Sequence, residues 1–222
     1  MKKVELSMKN LICFFLTFSI TTILFSQEMK PLKPIKNFEL PPDYVTFNKL
    51  GLNKTMPDIN AVTLNEIKVD SMFFKDKVTV LNFSYIGCPP CMFEVNHLNQ
   101  IYEKYKNQDV NIISVFSINR QGLLDFLNGN DIYKGVRKNV PFNNIKYTLI
   151  PECLGEKEDY RNGAKPQCNN ISKYYGVKGY PKTVIIDKDR IVRHISNGFP
   201  MTDIKADSIK NEWVNIIDGL LK

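Results

Sequence analysis

The sequence predicts an α/β domain, and three observations carry that prediction. VTVLNFSY (78–85) and VNIISVFS (110–117) are largely apolar, β-branched runs, the pattern of strands buried on both faces. Between them Met92, Val95, Leu98, Tyr102 and Tyr105 recur at spacings of three and four, one apolar stripe along a helix from Pro89 to about residue 106. Strand, helix and strand in that order make a βαβ unit with parallel pairing.

The other elements follow the same rules. Gln121 to Gly129 reads as a helix with Leu123, Leu124 and Leu127 on its apolar side. IKYTLIPE (145–152) reads as a short strand and ISKYYGV (171–177) as a short helix ended at Gly176. KTVIIDKDRIVRHIS (182–196) holds two strands around the turn residues DKDR, a hairpin. Ile209, Trp213, Ile216, Ile217 and Leu220 share one side of a terminal helix. Strands alternating with helices keep the class at α/β.

Upstream, Lys2, Lys3 and Lys9 precede the uncharged stretch LICFFLTFSITTILF (11–25), which ends at Ser26 before QEMKPLKP. A positive segment, a short apolar run and a small residue at its exit are the layout of a signal peptide, so residues 1–26 are expected to direct export and be removed. A bilayer span needs about 20 apolar residues against roughly 15 here, and an uncleaved anchor through residues 11–25 is the rival reading. Residues 27–50 carry Pro31, Pro34, Pro41 and Pro42 and little periodicity, an extended N-terminal segment. Residues 51–222 are then the one folded domain.

Loss of three lysines and one glutamate with residues 1–26 lowers the net charge from +7 to +5. The remaining charges are scattered, as in DKDR and KEDYR, and no arginine-rich run interleaves with aromatics. That distribution describes solvated faces and argues against a nucleic-acid partner.

Residues 85–95 read YIGCPPCMFEV and place Cys88 and Cys91 where a strand gives way to a helix. A cysteine at the mouth of a helix faces unpaired N–H groups and the positive end of the macrodipole, both of which favour thiolate. Cys91 is one turn along the same face, within reach of a disulfide. Cys88 is the expected attacker and Cys91 the resolver. Pro89 suits the first turn, and Pro90 removes a further donor, leaving the Cys91 N–H as the nearest partner for the Cys88 sulfur. The competing uses of such a pair are weaker. A structural zinc site takes a second close pair, whereas Cys153 and Cys168 lie far apart in another segment, so no metal is expected. A loop this short also gains little as a staple.

KVTVLNFSYIGCPPCMFEVNHLNQIYEKY, followed by YGVKGYPKTVIIDKDRIV, resembles the thioredoxin superfamily and, within it, the TlpA-like and ResA-like exported thiol-disulfide oxidoreductases. MPDINAVTLNEIKVDSMFFKDK (56–77) resembles the stretch that precedes the first core strand in those proteins. The resemblance implies a thioredoxin-like fold, a central mixed sheet flanked by helices. It also implies that Pro181 is cis and lies against the cysteine pair, with Tyr180 and Pro181 forming the substrate groove. The backbone N–H and C=O of Tyr180 are then positioned to pair with an extended substrate.

The chain departs from the family pattern in three places. Gly87 and Ser84 stand where the family carries tryptophans, from which we expect a more open Cys88 sulfur and an altered groove. Tyr85 and Phe199 are the aromatics able to overturn that expectation. Asn82 replaces the buried aspartate of thioredoxin proper and cannot take the Cys91 proton. Glu94, the nearest carboxylate in sequence, is the candidate for proton transfer, against the alternative of a solvated helix glutamate.

Without the leader, Cys153 and Cys168 complete an even count and are expected to form a structural disulfide stapling an inserted polar loop, LGEKEDYRNGAKPQ. An auxiliary redox pair is the alternative. His97 and His194, with the cysteine pair, keep open a copper-binding metallochaperone of thioredoxin-like fold, in which His194 is a ligand rather than an exposed strand residue. The main expectation is a periplasmic thiol-disulfide oxidoreductase, acting as a reductase of the cytochrome c maturation type. An oxidase or isomerase is the second choice. The reaction requires no cofactor. Its partners are protein thiols and disulfides and an upstream membrane or periplasmic electron donor, with a membrane involved only if the leader is uncleaved.

Overall fold

The computed structural model describes residues 51–137, 145–154, 167–168 and 171–222. The leader, the extended segment at 27–50 and most of the inserted loop lie outside the described residues. A small antiparallel hairpin, β1 (Ala61–Val62) and β2 (Lys68–Val69), precedes a one-turn helix α1 (Ser71–Phe74) that Asp70 caps through the Met72 N–H. Then come β3 (Val78–Ser84), α2 (Pro89–Tyr105), β4 (Val110–Asn119), α3 (Arg120–Leu127) and a short α4 (Lys134–Arg137). The chain continues through β5 (Thr148–Leu154), β6 (Gln167–Cys168), α5 (Ile171–Tyr174), the hairpin β7 (Lys182–Ile186) and β8 (Val192–Asn197), and α6 (Asp203–Leu221).

The six-stranded sheet has the order β6-β5-β4-β3-β7-β8. Its β3, β4 and β5 are parallel, and β6, β7 and β8 run antiparallel to their neighbours. This is the mixed sheet flanked by helices that the sequence predicts. All seven residues of β3 are buried, as its unbroken apolar run requires of a strand covered on both faces. Because side chains alternate along a strand, β3 sends Val78 and Val80 into the cluster under α2 and α6, and Leu81 and Phe83 into a second cluster that includes Met56, Phe74 and Tyr175.

The motif helix differs in detail from its predicted stripe. Met92, Val95, Leu98 and Tyr105 are buried, but Ile101 completes the seam and Tyr102 is only partly covered. In α3 the buried apolar pair is Leu123 and Phe126, with Leu124 and Leu127 at the margin, since 3.6 residues per turn brings 126 rather than 124 back beneath 123. Trp213 and Ile217 anchor α6 on the α2 side of the sheet, with Ile209, Ile216 and Leu220 packed around them.

Candidate active site

The end of β3 and the start of α2 carry the cysteines. Gly87 turns the chain between them with φ of 94°, a left-handed conformation that favours glycine over any residue with a side chain. Cys88 is the N-cap of α2, Pro89 and Pro90 occupy its first turn, and the Cys91 N–H donates to Cys88 Sγ at 3.2 Å. The two sulfurs are joined as a disulfide, with Cα atoms 5.3 Å apart.

The Tyr180–Pro181 peptide is cis, immediately before β7. β7 pairs with β3 so that Lys182 faces Phe83, which brings residues 180 and 181 to the end of β3 where the cysteine loop begins. The Pro181 carbonyl accepts from the Gly198 N–H at 2.7 Å. Among the described residues neither backbone group of Tyr180 pairs with another backbone group.

The expected open sulfur is not what the structure holds. Cys88 is 2% exposed. Phe199 belongs to its buried cluster, with Ile86, Phe93 and Tyr180 packed against that cluster. The Tyr85 ring meets Tyr180 edge-on at 5.2 Å. Phe199, Phe93 and Tyr180 thus supply aromatic cover to the buried cluster that holds Cys88, while the exposed Tyr85 ring lies outside it.

Glu94 is likewise no solvated glutamate, for it is 1% exposed between α2 and the sheet. It lies one turn beyond Cys91 and accepts from Asn82 Nδ2 at 2.7 Å and from Thr183 Oγ1 at 2.8 Å. Burial pushes its carboxyl up to about 8, with the bonds from Thr183 and Asn82 opposing part of that rise. Asn82 also donates to Thr183 Oγ1 at 3.0 Å and accepts from Ser84 Oγ and Ser114 Oγ, both at 2.8 Å. The Tyr147 hydroxyl is buried in the same region, and burial raises it.

Ser114, Thr183 and Tyr147 escaped the sequence reading, and Ser84 entered it only as the place of a missing tryptophan. Only part of the signal was local: Asn82 and Ser84 share a parity within one buried run, and Ser114 interrupts the next, but neither names its partner. Polar residues at such places need buried partners.

The remaining candidates lie away from this cluster. Cys153 is buried and disulfide-bonded, and its Cα partner across β5 and β6 is Cys168. His97 is buried between the Phe93 and Phe199 rings, with its Nε2 3.8 Å from Asp207. His194 is half-buried rather than exposed, 3.8 Å from Glu212, and burial lowers it. Among the described residues no three His, Cys, Asp or Glu side chains converge to hold a metal.

This geometry has counterparts in known proteins. The family model described as Redoxin matches residues 52–211. The thiol-disulfide oxidoreductase ResA of Bacillus thuringiensis (strain Al Hakam) is 33% identical over 148 residues, covering 66% of this chain and 70% of that protein. ResA of Bacillus thuringiensis subsp. konkukian is 27% identical over 164 residues, 74% of this chain and 75% of that one. In fold, a Chlorobium tepidum structure designated thiol:disulfide interchange protein DsbE superposes with a TM-score of 0.57 at 20% identity, over 78% of this chain and all of that one. A cysteine pair at the head of a helix in a thioredoxin-like sheet, within a chain that matches ResA and the Redoxin model over most of its length, makes this protein a member of the Redoxin family and a thiol-disulfide oxidoreductase.

Proposed function

We propose that the chain is an exported protein-disulfide reductase that works through Cys88 and Cys91, with Glu94 exchanging the resolver's proton. The observation that carries the reading is the pairing of a disulfide at a helix N-terminus with a carboxyl buried one turn below it, which that burial raises to about 8. In the reduced enzyme the Cys88 thiolate attacks a substrate disulfide, forming a Cys88–substrate bond and releasing one substrate thiol. Cys91 then loses its proton and attacks the Cys88 sulfur. This closes the ring and leaves the second substrate sulfur as a thiol, two electrons having passed to the substrate.

Glu94 suits this exchange because proton transfer is easiest between matched groups. A carboxyl near 8 stands close to a cysteine thiol at about 8.5, whereas an ordinary glutamate falls about four units short. At pH 7 the oxidised enzyme carries Glu94 mostly protonated. When an upstream dithiol reopens the ring, Cys91 leaves as a thiolate and takes that proton.

The aromatic pair Tyr85 and Tyr180, and the Tyr180 backbone that meets no other backbone group among the described residues, support a groove for an extended, cysteine-bearing segment beside Pro181. The signal-peptide layout of residues 1–26 supports export to the periplasm, with release or anchoring set by whether residues 11–25 are removed. Among the described residues no helix is long and apolar enough to cross a membrane. The second cysteine pair, Cys153 and Cys168, is read as the staple of the inserted loop.

Cys91→Ser should trap a covalent mixed disulfide between Cys88 and a protein substrate, and Cys88→Ser should trap none. Equilibration against a dithiothreitol and glutathione ladder fixes the direction. A strongly oxidising potential reverses the assignment to oxidase.

A further inference from the structure

The proton-exchange reading leaves one feature of the buried cluster unused, which is the fixed direction of its hydrogen bonds. The Asn82 amide has two N–H donors and two acceptor positions on Oδ1, and all four are occupied. Both serines spend their only hydrogen on Oδ1. Thr183 Oγ1 accepts from Asn82 and gives its own hydrogen to Glu94. Every bond therefore hands a donor on toward the carboxyl. The register builds this from three strands, because Asn82 on β3 lies opposite Ser114 on β4 and opposite Thr183 on β7.

We propose that Ser84 and Ser114 are positioning residues for Glu94, holding the Asn82 amide with both N–H groups turned toward Glu94 and Thr183. The inference rests on the proton-exchange reading of Glu94 for its purpose and on this bond pattern for its substance. Two aligned hydroxyls polarise the amide and strengthen the bond it gives the carboxylate. Without them Oδ1 is a buried acceptor with no donor. The amide is then free to turn over, and an oxygen facing Glu94 disfavours its charged form.

The test follows the Glu94 titration in the oxidised chain by carbon-13 NMR of the side-chain carboxyl, with Glu94→Gln identifying the resonance. The double variant Ser84→Ala/Ser114→Ala is expected to raise the midpoint by about one unit, and each single change by part of that. Tyr147→Phe removes a buried hydroxyl that lies against Ser114 but makes no bond to Asn82, so both serine bonds to the amide remain, and it should shift the midpoint less than the double variant does. An unmoved midpoint in the double variant overturns the proposal. So does a Tyr147→Phe shift of equal size, which makes burial rather than the amide the controlling factor. If the double variant loses its near-UV circular dichroism, the two single variants decide by the same criterion. The mixed-disulfide resolution rate of Glu94→Gln is measured separately. A wild-type rate there withdraws the catalytic role of Glu94 and leaves the serine effect on its titration intact.

Discussion

The two faces of the central strands use the same backbone for opposite ends. On one face Leu81 and Phe83, Ile113 and Val115, and Val184 and Ile186 form an unbroken apolar layer against Met56, Phe74 and Tyr175. On the other, the layer under α2 begins apolar at Val78, Val80, Ile112 and Ile185, then turns polar in one row, Asn82, Ser114 and Thr183, one turn of α2 below the cysteines. A single strand thus carries apolar core on one parity of its residues and, on the other, core that gives way to a polar row beneath the cysteines. Changes in the apolar layer should cost stability and leave the Glu94 titration in place, and changes in the polar row should move that titration.

The largest effect is expected on the apolar face. Leu81→Ala removes a fully buried side chain and should lower unfolding free energy by about 4 kcal/mol in denaturant titration, leaving the Glu94 midpoint in place. A shift of that midpoint would show the two faces to be coupled. The cysteine pairs offer a parallel contrast. Replacing Cys153 and Cys168 together by serine should cost about 3 kcal/mol, the scale for a loop of this length, with turnover unchanged below the melting transition. Lost turnover in the folded variant would make that pair a participant in electron transfer.

Taken over one pH unit the effect of Glu94 is smaller than either, and it has a distinct form. Its folded value near 8 lies above its ordinary 4.5, so the folded state holds a proton that the unfolded chain has released. Stability from this group is complete below about pH 4.5 and falls as pH rises toward 8, with a limiting slope of about 1.4 kcal/mol per unit. Glu94→Gln keeps one acceptor for Asn82 and supplies an amide to Thr183, and it should remove this slope. Wild type and variant showing equal slopes between pH 5 and pH 8 would place the proton elsewhere.

How much of this was legible in the sequence depended on periodicity. The strands, the motif helix and the terminal helix were readable because a buried strand or an apolar stripe repeats over many residues. The cysteine pair was readable from local spacing alone. Glu94 could be named but not placed, since a glutamate in a helix looks the same whether it faces solvent or the sheet. Ser114 and Thr183 were out of reach for a different reason: their meaning comes from register between strands, a relation among residues 82, 114 and 183 that no local window contains. The open sulfur was misjudged on the same ground, because Tyr180 and Phe199 reach the Cys88 cluster only once β7 and β8 are laid beside β3.

The smallest stability effect and the sharpest contrast with Leu81 belong to Tyr85. Its ring is exposed and rests edge-on against Tyr180, so Tyr85→Ala uncovers little core and should alter unfolding by less than about 1 kcal/mol. An aromatic contact with a substrate segment is worth about 1 kcal/mol, so kcat/KM toward a protein disulfide should fall about fivefold. Reduction of the enzyme by dithiothreitol, which needs no groove, should keep its rate. A loss shared equally by the protein substrate and dithiothreitol would instead mean that the ring protects the Cys88 sulfur itself. That outcome would move Tyr85 from the recognition surface to the reactive centre.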